Sequence, residues 1–194
     1  MAPAKELFIA TANKHKVIEI SEIIGKYGVS LVQKDIPLIE PSEGTLEDIA
    51  IEKARQAFAE LKTPVIAEDT GVYFNEYKDF PGLMAKRVYL QLGFKGLLGL
   101  VKAAEDKGAY FKTVICFMWG TGETEHKLFA GECKGRLLEE VVSLEKDRLP
   151  YEKIFVPEGY EKAMVDIPRE EKNKMSHRAK AAEELGEYLK TADF

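Results

Sequence analysis

The apolar positions of this chain change period as it advances, and the changes predict alternating strands and helices. Leu7-Phe8-Ile9-Ala10 is a continuous apolar run of strand length. Val17, Ile20, Ile23 and Ile24 then recur at helical spacing, which predicts a helix over residues 16–26 closed by Gly25 and Gly28. Val29 to Val32 predicts a second strand, and residues 35–44, with Pro37, Pro41 and Ser42, read as loop. Thr45 is a fitting N-cap, and Glu47 and Asp48 place acids in the first turn of a helix running to about Leu61. Pro64-Val65-Ile66-Ala67 predicts a short buried strand.

Further along, Phe80-Pro81-Gly82 is a break, and residues 88–106 read as a helix interrupted by Gly93, Gly96 and Gly99. Residues 109–119 alternate as a long strand, Gly120-Thr121-Gly122 reads as a hairpin turn, and residues 127–133 read as the partner strand, extended by 135–138. Residues 145–149 are charged and irregular, Ile154 to Pro157 predicts a short strand, and Ser176 caps a last helix to about Lys190. This order predicts an α/β chain with a mixed or parallel sheet. It forms one domain over residues 1–194, in which a hairpin lobe from about 109 to 140 joins an α/β lobe across a cleft.

Charge narrows the function classes. The 194 residues carry a net charge of −5 at pH 7, which argues against a broad nucleic-acid-binding face. No apolar stretch approaches the length of a membrane span, and Met1 to Lys5 lacks the apolar core of a signal peptide. The two cysteines, Cys116 and Cys133, read as reduced thiols of a cytoplasmic protein, and neither has zinc-like spacing to His or Cys.

Three segments carry candidate chemistry. Glu68-Asp69-Thr70-Gly71 follows the short strand to Ala67. Taken alone it reads as a turn, yet a carboxyl pair where an α/β strand ends suits a divalent cation or an activated water. Thr11-Ala12-Asn13-Lys14-His15-Lys16 joins a strand to a helix, where backbone N–H groups attract phosphate, although the glycines of a P-loop are absent. Ser176-His177-Arg178, with Lys172 upstream, places cations in a first helical turn, against the preference of the dipole. Such a violation points to a ligand. Lys53 and Arg87, each by itself, read as surface cations, while Tyr151 and Phe155 fit either base stacking or core.

The ordered set is more specific than any one member. Thr-x-Asn-x-x-Lys after a strand, Glu-Asp-Thr-Gly, Phe-Pro-Gly, Ala-Tyr-Phe-Lys-Thr-Val-Ile and Glu-Glu-Lys-Asn-x-x-Ser-His-Arg resemble the inosine/xanthosine triphosphate pyrophosphatase family from Leu7 to about Leu189. The resemblance implies an elongated mixed sheet with helices, two lobes around a central nucleotide-binding cleft, and a homodimer. The implied reaction is Mg²⁺-dependent hydrolysis of non-standard purine nucleoside triphosphates (ITP, XTP, dITP) to monophosphate and pyrophosphate. By the same resemblance Thr11, Asn13, Lys16 and Lys53 grip phosphates, Asp69 activates water, and Glu68 lies beside it at the metal. Thr70, Arg87, Leu149, Tyr151 and Glu152 touch substrate, and Lys172, His177 and Arg178 surround the purine.

Several positions depart from the family pattern. Ala12 replaces a glycine, Ala85 a serine, Leu149 a stacking phenylalanine, and Glu152 an aspartate. Pro41 stands where the family has a metal-binding Glu, so Glu40 is the expected ligand. These departures leave an alternative reading, a relative that binds purine nucleotides without turnover.

Overall fold

β1 (Lys5–Ala10) lies between β2 (Val29–Lys34) and β3 (Val65–Phe74) and runs parallel to both, with Leu7 opposite Leu31 and Phe8 opposite Val65. The computed structural model behind this description covers residues 5–39, 41 and 43–192. The crossover from β1 to β2 is α1 (Lys14–Ile24), which buries Ile20, Ile23 and Ile24, and a short 3-10 turn. Gly28, at φ 75°, ends that turn in the left-handed region, where glycine carries no steric cost. The crossover to β3 is α2 (Leu46–Leu61). Thr45 and Asp48 cap it reciprocally: Thr45 Oγ1 accepts the Asp48 N–H at 3.1 Å, and Asp48 Oδ2 accepts the Thr45 N–H at 2.9 Å.

After β3 come β4 (Pro81–Gly82), α3 (Ala85–Ala103), β5 (Gly108–Met118), β6 (His126–Leu137), β7 (Phe155–Pro157), α4 (Arg169–Met175) and α5 (His177–Leu189). Among the described residues seven strands form one mixed sheet in the order β2-β1-β3-β5-β6-β7, with β4 paired to β3. The expected α/β class and mixed sheet are therefore present. α3 begins earlier than its pattern suggested and kinks at Gly93, which takes non-helical angles (φ 59°, ψ −171°). α4 was not expected, because its charged sequence shows no apolar period.

One local expectation is overturned. Glu68-Asp69-Thr70-Gly71 is not a turn at the end of a short strand; it is the middle of the ten-residue β3. Pairing decides this. β1 holds the start of β3 at Val65 and Ile66, β4 holds its end at Val72 and Tyr73, and β5 flanks it. Sheet pairing therefore overrides the turn preference of Asp and Gly. Gly71 makes room instead: a Cβ there would lie 2.7 Å from the Tyr73 ring, which stacks on Tyr110 with centroids 4.8 Å apart.

The chain divides into two compact units. One consists of the described residues of Met1–Asp69, Thr113–Gly131 and Ser176–Phe194, with Leu7, Ile9, Ile20, Ile66, Ile115, Phe117 and Leu185 in its core. The other consists of Thr70–Lys112 and Glu132–Met175, with Phe74, Leu97, Phe111, Tyr151 and Phe155 in its core. The hairpin expected at about 109–140 is β5–β6, and its residues belong to both units.

Candidate functional site

In the first unit, the turn from β1 into α1 is built by its own side chains. Thr11 Oγ1 accepts the Asn13 N–H at 3.1 Å, and Asn13 Oδ1 accepts the N–H groups of His15 at 3.0 Å and Lys16 at 3.4 Å. Capping in this way fixes the direction in which Lys16 leaves the helix. Its Nζ lies 2.8 Å from Glu68 Oε1.

Glu68 is a fully buried carboxylate, 1 % exposed, projecting from β3. Arg178 Nε is 3.6 Å from the same Oε1, and Arg178 Nη1 donates to Glu19 on α1. Burial alone would push the Glu68 carboxyl up. Lys16, Arg178 and Lys53 outweigh it and hold the pKa down, to about 2. Glu68 is therefore an anion at any ordinary pH.

Asp69, the next residue, is only half-buried. Lys53 on α2 is buried and donates twice, to the Glu68 backbone carbonyl at 3.1 Å and to Asp69 Oδ1 at 3.2 Å. Burial pushes the Asp69 pKa above the ordinary carboxylate value; Lys53 and Lys16 oppose that shift, and Glu68 adds to it. Among the described residues nothing donates to Asp69 Oδ2. His177 and Arg178 open α5 and are 0 % and 1 % exposed, so they are not surface cations, and neither is Lys53. Ser176 Oγ caps that helix by accepting the Ala179 N–H at 3.2 Å. The acids that the first turn of α5 lacks are supplied from outside it, by Glu19 and Glu68.

In the second unit, Lys172 on α4 donates to Glu152 Oε1 at 2.6 Å, and both residues are buried. Glu152 Oε2 is buried without a hydrogen-bond partner among the described residues. Tyr151 packs in the core with its ring edge-on to Phe74, and its hydroxyl donates to the Ala85 carbonyl at 2.9 Å. Burial raises its phenol pKa. Leu149 and Thr70 are half-buried, and Arg87 is exposed on α3.

The structure thus brings Lys16, Lys53, Glu68, Asp69 and Arg178 together in one unit, and pairs Glu152 with Lys172 in the other. Glu40 lies outside the described residues. A group of three or more metal-ligating side chains is absent among the described residues. Asp69, a carboxylate not enclosed between cations, fits as one ligand of a Mg²⁺ ion that takes most of its ligands from phosphate oxygens and water.

Two residues were missed from the sequence. Glu19 belongs to none of the motifs, and its position one turn after Lys16 was the signal for it. Gly131 in β6 has α5 lying directly against it. A Cβ at Gly131 would sit 2.1 Å from the His177 carbonyl oxygen and 2.8 Å from the Ala181 nitrogen. A lone glycine inside a strand pattern marks such a close approach.

Comparison with known proteins gives these contacts their context. The Ham1 family model matches residues 7–188. The dITP/XTP pyrophosphatase of Hyperthermus butylicus is 37% identical over 188 residues, covering 96% of both chains. The inosine triphosphate pyrophosphatase of Aspergillus fumigatus is 36% identical over 191 residues, covering 97% of both. The solved HAM1 protein of Coxiella burnetii superposes with a TM-score of 0.84 at 25% identity, over 97% of this chain and 100% of that one. The Ham1 protein of Staphylococcus aureus gives a TM-score of 0.78 at 25% identity, over 95% of this chain and 98% of that one. With a matching family model over nearly its whole length and full-length relatives above 30% identity, this chain belongs to the Ham1 family.

Proposed function

We propose that this protein is a nucleoside triphosphate pyrophosphatase that hydrolyses ITP, XTP and dITP to the monophosphate and pyrophosphate. Relatives named for that activity support the reading. The observation that carries it is the half-buried Asp69, fixed through Oδ1 by buried Lys53 and with Oδ2 left for chemistry.

Cleaving a phosphoanhydride needs positioning and charge neutralisation rather than covalent chemistry. Asn13 and Lys16 at the N-terminus of α1 bind phosphate oxygens, where the helix dipole adds to the Lys16 charge. Lys53 orients the Asp69 carboxylate, so that Oδ2 takes the proton of the attacking water as the bond between the α- and β-phosphates breaks. The burial that raises the Asp69 pKa makes it a better base than an ordinary aspartate. Asp69, with Glu40 as the second carboxylate, would hold a Mg²⁺ ion, which would supply neutralisation of the triphosphate charge. Glu68 Oε1 is already committed to Lys16 and Arg178.

Purine choice follows from donors. His177 and Arg178 offer N–H groups to a 6-oxo oxygen, and the amino group of adenine leaves them unmet. Thr11, Thr70, Arg87, Leu149, Tyr151 and Glu152 complete the substrate contacts. As a homodimer in the cytoplasm, the protein meets its substrates in the nucleotide pool; its two cysteines are free and buried, as that compartment allows.

The test is product identification with Mg²⁺ and ITP. Pyrophosphate and IMP in equal amounts are expected. Inorganic phosphate and IDP would overturn the reading, as would tight ITP binding without any product.

A further inference from the structure

We infer that Glu68 is a positioning residue for purine selection: it holds the Arg178 guanidinium in register and takes its own counter-charge from Lys16. This rests on the proposed function, because Arg178 is placed there among the purine donors. The observations are geometric. A single oxygen, Glu68 Oε1, stands between two cations that come from separate helices, Lys16 of α1 at 2.8 Å and Arg178 of α5 at 3.6 Å. Glu19 takes a hydrogen bond from Arg178 Nη1, and Glu68 Oε1 lies 3.6 Å from Arg178 Nε, so Glu68 acts on the guanidinium through its charge rather than through a hydrogen bond. Glu19 and Lys16 both ride on α1, so that helix braces both ends of the arrangement.

Glu68 differs from its neighbour in the way this role requires. Asp69 is half-buried and keeps one oxygen without a donor among the described residues, whereas the Glu68 side chain is fully buried between cations. Glu68 Oε1 is already committed to Lys16 and Arg178, and breaking a buried ion pair is costly. β3 also makes a firm base for a strut, since Glu68 sits in mid-strand.

The experiment compares kcat/KM for ITP and ATP, and the half-saturating Mg²⁺ concentration, in the parent and in Glu68→Gln. The Gln keeps the shape and removes the charge. The ITP/ATP ratio is expected to fall about tenfold, with the Mg²⁺ requirement within about twofold of the parent. An unchanged ratio would overturn the inference, and so would a many-fold rise in the Mg²⁺ requirement with selectivity intact, which is the signature of a metal ligand. Glu68→Gln removes a counter-charge from half-buried Lys16 and buried Arg178 and can fail to fold. Lys16→Met/Glu68→Gln, which keeps the cluster neutral, is therefore measured beside Lys16→Met alone. The double variant is expected to show a ratio about tenfold below the single one, and equal ratios would contradict the role. If the parent itself yields no pyrophosphate from ITP, the proposed function fails, whatever Glu68 does.

Discussion

In the unit that carries Asp69, three cations (Lys16, Lys53 and Arg178) are set against three carboxylates (Glu19, Glu68 and Asp69), and neighbours share partners. In the other unit Lys172 is paired with Glu152, both buried, and Glu152 Oε2 has no hydrogen bond among the described residues. The first arrangement is neutral before any ligand arrives. Its groups are held by one another, which suits chemistry on a triphosphate whose charge must meet fixed partners. The second keeps a buried acceptor unmet, a cost that an N–H donor from a ligand would remove. The fold therefore prepares one unit for charge and leaves the other with an unmet need.

The sharpest way to break this comparison is Lys53→Met. It frees Asp69 to rotate and removes a charge that opposes the rise in its pKa. The expected loss in kcat is about 10² to 10³, read from steady-state pyrophosphate release, with little change in the melting temperature beyond that of one buried contact. A kcat within threefold of the parent would mean that Asp69 does not need its buried partner.

Lys172→Met probes the other unit. It leaves Glu152 buried and uncompensated, and a loss of about 3 to 5 kcal/mol in unfolding free energy is expected by denaturant titration. Adding Glu152→Leu is expected to recover most of it, because a buried pair exchanged for apolar groups is close to neutral. If the double variant is no more stable than the single one, Lys172 does not stabilise the fold by compensating Glu152.

Acid is expected to act on the first unit through Glu68. Its folded pKa, about 2, lies below the ordinary glutamate value of 4.5. The group therefore stabilises the fold fully above about pH 4.5, and that contribution is lost as pH falls toward 2. The amount is on the order of 3 kcal/mol, checked by melting temperatures between pH 6 and 2. The double variant Lys16→Met/Glu68→Gln is expected to melt with a shallower acid dependence, and an identical slope would contradict the assignment.

The smallest expected effect separates the units by geometry. Gly131→Ala places a methyl group 2.1 Å from the His177 carbonyl oxygen, and Gly135→Ala places one 2.2 Å from the Val156 carbonyl oxygen. Both are expected to cost about 1 to 3 kcal/mol. Only Gly131→Ala moves the start of α5, so only it is expected to change the ITP/ATP ratio. Equal ratios in the two variants would remove Gly131 from the site.

The strands and helices with clear apolar periods were legible in the sequence, and so was the Thr45 cap, because local chemistry decides them. The family and its motif order were legible too. The conformation of Glu68–Gly71 was not: turn preferences point one way there, and pairing with β1, β4 and β5 decides the other. The burial of Lys53 and Arg178 was hidden for a similar reason. A cation reads as surface until its partner is known, and Arg178 lies 159 residues from Glu19. The violation of dipole preference at His177-Arg178 was the one local sign that partners existed.

The most direct measurement is pyrophosphate release from ITP with Mg²⁺ by the parent and by Asp69→Asn, side by side, with circular dichroism showing both folded. Steady turnover by the parent and a fall of at least about 10² in the variant are the results predicted by a general base at Asp69 Oδ2. Equal rates in the two proteins would contradict it.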